Sequence, residues 1–230
     1  QRAPANSGEL CVTGSWSAAG GVQGELQARK LSLAALEPWL PPGTQAQGQL
    51  QADATFSQPL NQRPQFAATA QLDGAELLLE EENLTLVGGD IRLSLKGQNE
   101  RLTADLQLPL QQPVGDVRAQ LKVDDLYDAR TLNGSLVMNL SELKFISLFT
   151  PQLQAISGRV ESALIVRGSA AKPRIEGNLK LLDGSAELPA LGIKLESINL
   201  TLTDQPDSSA LKLEGRSWVL REPGSGTREF

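Results

Sequence analysis

Along most of the chain apolar residues fall at every second position. The middle shows it most clearly. Ile91, Leu93 and Leu95 alternate with Arg92, Ser94 and Lys96; Leu102, Ala104, Leu106, Leu108 and Leu110 alternate with Thr103, Asp105 and Gln107; Val117, Ala119, Leu121 and Val123 alternate with Arg118, Gln120 and Lys122. A period of two describes a strand with one dry face and one wet face. The same pattern runs through Leu10, Val12, Gly14 and Trp16, through Leu50, Ala52, Ala54 and Phe56, and through Phe66, Ala68, Ala70 and Leu72. Over 158–202 it predicts four or five short strands, carrying Val160, Leu164 and Val166; Ile175, Leu179 and Leu181; Ile193 and Leu195; and Ile198, Leu200 and Leu202. Turn residues separate the runs: Gly20-Gly21, the loop bracketed by Pro59 and Pro64, Gly97-Gln98-Asn99, and Pro113 with Gly115. The prediction is an all-β chain, mostly an antiparallel meander.

Two stretches break the alternation. Leu33, Leu36 and Leu40 fall at helical spacing, which predicts a short helix over 32–40, irregular at Pro38 and ended by Pro41-Pro42. Leu143, Ile146 and Phe149 predict a second over 142–150, with Ser141 as its N-cap. These helices sit at equivalent places in an internal repeat. Gly24, Leu26, Leu33, Trp39 and Gly48 lie 110 positions before Gly134, Leu136, Leu143, Phe149 and Gly158, and the Leu72-Asp73-Gly74 triplet lies 110 before Leu182-Asp183-Gly184. The expected organisation is a single elongated β domain over 1–230 with repeats at about 24–110 and 134–215. Repeats of this kind complete one another's cores. Unpaired edges at the ends of such a stack favour dimers or higher oligomers.

Composition narrows the chemistry. Net charge is -6 and no Lys/Arg stripe is present, which argues against a nucleic-acid partner. There is no His, so the commonest general base and metal ligand is missing. Cys11 is the one cysteine and forms no internal disulfide. No apolar run is long enough to span a bilayer, and the start at Gln1 reads as a piece cut from a longer protein. The carboxylates Glu80-Glu81-Glu82 and Asp124, Asp125 and Asp128 lack a cation-loop pattern and read as solvated turns. Gly20-Gly21 and Gly88-Gly89 lack phosphate-loop spacing and read as turns or bulges. Trp16, Trp39 and Trp218 are isolated and read as packing residues. We expect no enzyme activity, no cofactor and no metal.

What remains is the apolar face. Its candidate lining is Ile91, Leu93, Leu95, Leu102, Leu106, Leu108, Val117 and Leu121, then Leu136, Val160, Leu164, Val166, Ile175, Leu179, Leu181, Ile198, Leu200 and Leu202. Only 4% of residues are aromatic, so this surface is smooth and alkane-like. It has two readings. Two inner faces bury each other in a closed sandwich, or the face stays open as a groove for acyl chains. Alternation alone does not choose.

The stretch Lys172–Leu202, KPRIEGNLKLLDGSAELPALGIKLESINLTL, carries a more specific signal. Its Gly168-x₄-Pro173, Gly177-x-Leu179-x-Leu181, Gly184, Leu188-Pro189, Leu191-Gly192-Ile193 and Ile198-x-Leu200-x-Leu202 pattern resembles the repeat of the TamB family, and more broadly the AsmA-like or bridge-like lipid-transfer group. The likeness is strong over 134–202 and looser over 24–123, where ELLLEEENLTL replaces the LPALGI step. The resemblance implies a β-taco: a long sheet folded along its length into a U with a greasy interior. It implies a periplasmic part of a bridge, anchored in the inner membrane, that carries phospholipid between inner and outer membranes. It also implies support of outer-membrane protein assembly with a TamA-like barrel partner. Two rivals remain open. One is a chaperone-like platform that binds outer-membrane protein strands by β-augmentation; the other is a structural β-sandwich spacer.

Overall fold

A computed structural model describes residues 8–18, 20–39, 43–79, 84–148, 150, 152–204 and 211–221. It is all-β. The strands are β1 (Glu9–Ser17), β2 (Gly21–Ser32), β3 (Thr44–Gln58), β4 (Gln65–Leu79), β5 (Leu84–Gly88), β6 (Ile91–Gln98), β7 (Arg101–Gln112), β8 (Gly115–Asp124), β9 (Thr131–Leu140), β10 (Gln154–Ser169), β11 (Lys172–Leu188), β12 (Ile193–Asp204) and β13 (Leu211–Arg221). They form one sheet in which each strand pairs with its sequence neighbours; β5 and β6 share the place between β4 and β7. Pairing from β1 to β8 and from β11 to β13 is antiparallel. Contacts divide the chain into two units, Gln1–Leu136 with Ile165–Arg174, and Val137–Leu164 with Ile175–Phe230.

In the first unit β5 and β6 are one strand interrupted at Gly89-Asp90. Glu76 faces Val87 and Leu72 faces Ile91, so the register against β4 is the same on both sides of the break. The break matches a bulge in the partner strands. The β3–β4 register slips between Gln47 and Gln49, next to Gly74, which takes a left-handed φ of 59°. An added Cβ at Gly88 would lie 3.1 Å from Ile91 Cδ1 and 3.2 Å from Ala75 Cβ. Side chains flip phase together there, and the apolar face continues across the bulge instead of changing sides.

Gly48 sits in the same bulge with φ 127°, and a Cβ on it would meet Gly74 O at 3.0 Å and Ala75 Cα at 3.1 Å. In the second unit Gly158 has φ 125°, and its Cβ would lie 2.9 Å from Gly184 Cα. The same close backbone approach thus occurs twice, at positions 110 apart. In the second unit the left-handed residue of the bulge is Asp183, φ 51°. The facing strand β12 bulges at Ser197, φ 52°. Asn199 braces the pair, accepting from Asp183 N at 3.1 Å and donating to Ser197 O at 3.0 Å.

That bulge corrects the strand count over 158–202. The runs Ile193–Leu195 and Ile198–Leu202 belong to one strand, β12, and the stretch holds three strands (β10, β11 and β12) where the sequence predicts four or five. The phase change between Leu195 and Ile198 reads locally as a turn, but a one-residue bulge produces it equally well.

Both predicted helices are short 3-10 turns, at Leu33–Trp39 and Lys144–Leu148. Pro38 within the first has no N–H to donate, which disfavours an α-helical ladder there. The second begins at Lys144, three residues past Ser141, so Ser141 is not its cap. The side chains of Leu36 and Trp39, and residues Leu40, Pro41, Pro42 and Phe149, lie outside the described residues. The first 3-10 turn covers a strand edge. β2 leaves β3 at Ser32, facing Gln49, so among the described residues the start of β3 has no strand partner on that side. The Glu37 carboxylate accepts a hydrogen bond from the freed Ala46 N–H at 3.0 Å, and Ala46 is 2% exposed.

Substitution at the two knots separates backbone approach from backbone conformation. G158V should lower the unfolding free energy by about 1–3 kcal/mol, because a side chain there meets both a positive φ and a backbone wall. G74N should be nearly neutral, since Asn tolerates the left-handed region and nothing lies within 4 Å of its Cβ position. Urea denaturation of both variants checks this; equal costs would contradict it.

Candidate functional site: an apolar sheet face

In the first unit the pairing carries each apolar position onto another. One transverse row runs Leu10–Ala28–Ala52–Ala70–Leu93–Leu106–Ala119, and the next runs Val12–Leu26–Ala54–Ala68–Leu95–Ala104–Leu121. A third runs Gly14–Gly24–Phe56–Phe66–Gly97–Leu102–Val123. No polar side chain interrupts any of them. Phe66 lies over Gly97: a Cβ there would come within 2.5 Å of the Phe66 ring atom Cζ. The opposite face is as uniform. Cys11–Gln27–Asp53–Thr69–Ser94–Asp105–Gln120 is a row with only Cys11 outside the ordinary polar set.

Among the described residues the apolar rows are covered only in part: Ala28 and Val123 are buried, while other members are open to solvent. Leu93 lies in the middle of the sheet, flanked by Ala70 and Leu106, and is still 46% exposed. Phe56 and Leu121 are exposed as well. Among the described residues no large side chain is fully buried. Two sheets packed about 10 Å apart would bury such positions. The first unit therefore presents an open apolar face around Leu93.

Of the candidate lining, Leu93, Leu95, Leu102, Leu106, Leu108, Val117 and Leu121 share this face through their registers, and Ile91 joins it opposite Leu72. In the second unit Leu179 faces Leu202, Leu181 faces Leu200 and Gly184 faces Ile198, so these five candidates share one face of β11 and β12. Leu136 in β9, Val160, Leu164 and Val166 in β10, and Ile175 in β11 are half-buried. The candidate set began too late in the chain. Leu10, Val12, Leu26, Phe56 and Phe66 complete the rows of the first unit, and their alternation is as regular as that of β6 and β7. The alanines between them carry too little hydrophobic signal to mark the strands as one surface.

The polar face is held by cross-strand charge pairs. Arg29 clamps Asp53 with two bonds of 2.7 Å, and Arg101 and Lys122 both reach Asp124. The hydrogen bond from Arg29 holds the Asp53 carboxyl below its ordinary value of 3.8. Asp124 is lowered in the same way, first by Arg101 and then by Lys122. A shallow cavity of about 350 Å³ opens between Arg29, Asp53, Gln71, Arg92 and Asp105, with Ala70 and Leu93 also in its lining. Its charges already have partners: Arg29 on Asp53, Arg92 on Asp90 and Asp105 on Ser94. Its charged groups are thus engaged with one another or with a neighbour, and we place the candidate site on the apolar side. Among the described residues no three His, Cys, Asp or Glu side chains gather as a metal site, and no helix is long and apolar enough to cross a membrane. Trp16, opposite Val22 in β2, stands 74% exposed. The side chains of Trp39 and Trp218 and the run Glu80-Glu81-Glu82 lie outside the described residues.

The depressed Asp53 and Asp124 values predict an acid-linked loss of stability. Their contribution is complete above the ordinary carboxylate value of 3.8 and disappears as pH falls through the lowered folded values. D53N should remove part of this dependence, and added salt should shrink it because the pairs are exposed. Urea midpoints measured from neutral pH downward test this; a D53N profile parallel to wild type would contradict it.

The family model described as TamB, N-terminal domain, matches residues 4–181. No curated protein and no solved structure matches the chain.

Proposed function

The chain belongs to the TamB family, and from that premise we propose that its open apolar face binds phospholipid acyl chains as one stretch of a periplasmic bridge between inner and outer membranes. The observation that carries this reading is Leu93, half-exposed at the centre of uninterrupted apolar rows. An acyl chain gains about 0.8 kcal/mol for each methylene removed from water, so a dozen methylenes gain about 10 kcal/mol before ordering costs. The rows lie perpendicular to the strands and contain neither charge nor hydrogen-bonding side chain. A tail moving along them meets Ala, Leu, Val and Phe and no group that would hold it at one place. The work is binding and conduction, not catalysis.

In this reading lipid headgroups stay in water at the margin of the face, and the charged pairs on the opposite face keep the sheet soluble. The bridge as a whole, in this reading, is anchored in the inner membrane. It works with a TamA-like outer-membrane barrel and supports outer-membrane protein assembly through that partner.

Lipid extraction and native mass spectrometry of the chain after gentle purification should recover phospholipid. A photo-reactive residue at Leu93 should crosslink to an acyl chain, and one at Ser94, on the polar face, should not. L106R and L200R should lower recovered lipid roughly tenfold, the factor that corresponds to 1.4 kcal/mol, with the far-UV circular dichroism of the sheet unchanged. Absence of lipid from wild type, or equal crosslinking from Leu93 and Ser94, would overturn the proposal. Unfolding of L106R would instead assign Leu106 to a dry core.

A further inference from the structure

The turns at one end of the first unit's strands are fastened to one another. Arg63, in the β3–β4 turn, bonds Glu100 in the β6–β7 turn at 2.8 Å and lies over the Tyr127 ring of the β8–β9 turn, 4.4 Å from its centroid. Leu126 N donates to Glu100 O at 2.8 Å. Ala170 N, at the tip between β10 and β11, donates to Arg130 O at 3.0 Å, and this tip belongs to the first unit. The four turns form one ledge. It borders the apolar row that contains Phe56, Phe66 and Leu102.

The two ends of these strands differ in charge. The ledge segments 58–66, 97–103, 122–131 and 165–174 carry seven Lys or Arg and four Asp or Glu, a net +3. Segments 30–49, 73–90 and 109–118, which lead into and out of the turns at the other end, carry two Lys or Arg and eight Asp or Glu, a net -6. The apolar face therefore lies between a margin that attracts anions and a margin that repels them. The ledge cations keep bonding capacity. A guanidinium has five N–H donors, of which one carboxylate such as Glu100 engages two at most, and Arg130 and Lys172 are exposed.

We propose that this ledge holds the phosphate of a phospholipid headgroup through Arg63, Arg130 and Lys172, favours anionic headgroups, and lets the acyl chains run from it down the strands. The inference rests on the lipid reading of the face and adds which margin the headgroup takes. The apolar run from Leu102 to Leu110 in β7 extends about 27 Å at 3.4 Å per residue. A chain in one bilayer leaflet spans about 15 Å, half the hydrocarbon core, so it fits between the two margins. Leu60 is 50% exposed and Tyr127 46%, both on the ledge. An exposed aliphatic group and a phenol beside arginine suit the boundary between headgroup and hydrocarbon. The reverse orientation would set the phosphate beside the acidic end. Movement along the sheet then passes the phosphate from turn to turn while the tails stay on Ala, Leu, Val and Phe.

Photo-reactive residues at Leu60, Leu93 and Val114 sample the ledge, the face and the opposite margin. The chain is loaded from vesicles of equal phosphatidylglycerol and phosphatidylethanolamine, and mass spectrometry of each adduct locates the crosslinked part of the lipid. Leu60 should capture headgroup or glycerol atoms, Leu93 acyl atoms, and Val114 no headgroup atoms, with phosphatidylglycerol enriched. The double variant R130Q/K172E should recover roughly fivefold less phosphatidylglycerol, and added salt should do the same to wild type. K172E alone, at an exposed side chain, should move recovery in the same direction, and circular dichroism checks that both variants keep the sheet. Inorganic phosphate should not displace the lipid, because it has no acyl chain to hold it. Headgroup adducts at Val114 equal to those at Leu60, unchanged recovery by R130Q/K172E, or displacement by inorganic phosphate would each overturn the proposal. Acyl adducts at Leu93 alongside any of these results would leave the lipid reading standing. Absence of adducts at all three positions would overturn both.

Discussion

The structure depends on conserving side-chain phase across strands. A strand exposes alternate residues on alternate faces, and a slip of one residue would move a whole set of leucines into water. In the first unit the phase holds from β1 to β8, so Val12 and Leu121 end the same apolar row and Cys11 and Gln120 end the same polar one. Everything functional follows from this. The proposed path for acyl chains requires an apolar surface that is continuous across strands. A single strand out of phase would insert a row of Arg, Ser and Lys and cut the path.

Bulges are the point at which that constraint is hardest to meet, and here they come in facing pairs. Asp73-Gly74 in β4 is answered by Gly89-Asp90 between β5 and β6, and Asp183 in β11 is answered by Ser197 in β12. Each pair lets both strands change phase together. Gly48 and Gly158 then pass their backbones against Gly74 and Gly184, at distances a side chain would not allow. Glycine at these places meets a packing requirement.

Edges present the remaining problem for a sheet whose apolar side is open. The molecule answers it beside β3, where the freed Ala46 N–H is capped by Glu37, and Ala46 is buried under the 3-10 turn. Among the described residues β1 pairs with β2 alone, and its Trp16 is exposed.

Much of this was legible in the sequence. Alternation alone set the strands, their meander order and the division of residues between two faces, because a period of two is a local property of the chain. The positions of the two 3-10 turns and the 110-residue spacing of the glycines were legible for the same reason. What the alternation could not decide was whether the apolar face is covered, since Leu93 reads identically in a closed sandwich and in an open sheet; its 46% exposure is a tertiary fact. Nor could it join Ile193–Leu195 to Ile198–Leu202, because a bulge is recognised by the partner strand it faces. The five alanines of β2, β3 and β4 were also silent: one methyl group each says little, and only the register against Leu93, Leu95 and Leu106 makes them part of a continuous surface. In the first unit the sequence determined which side of each strand is dry. Tertiary structure decided that this dry side stays open around Leu93, because solvent cover depends on what packs above a residue and not on its neighbours along the chain.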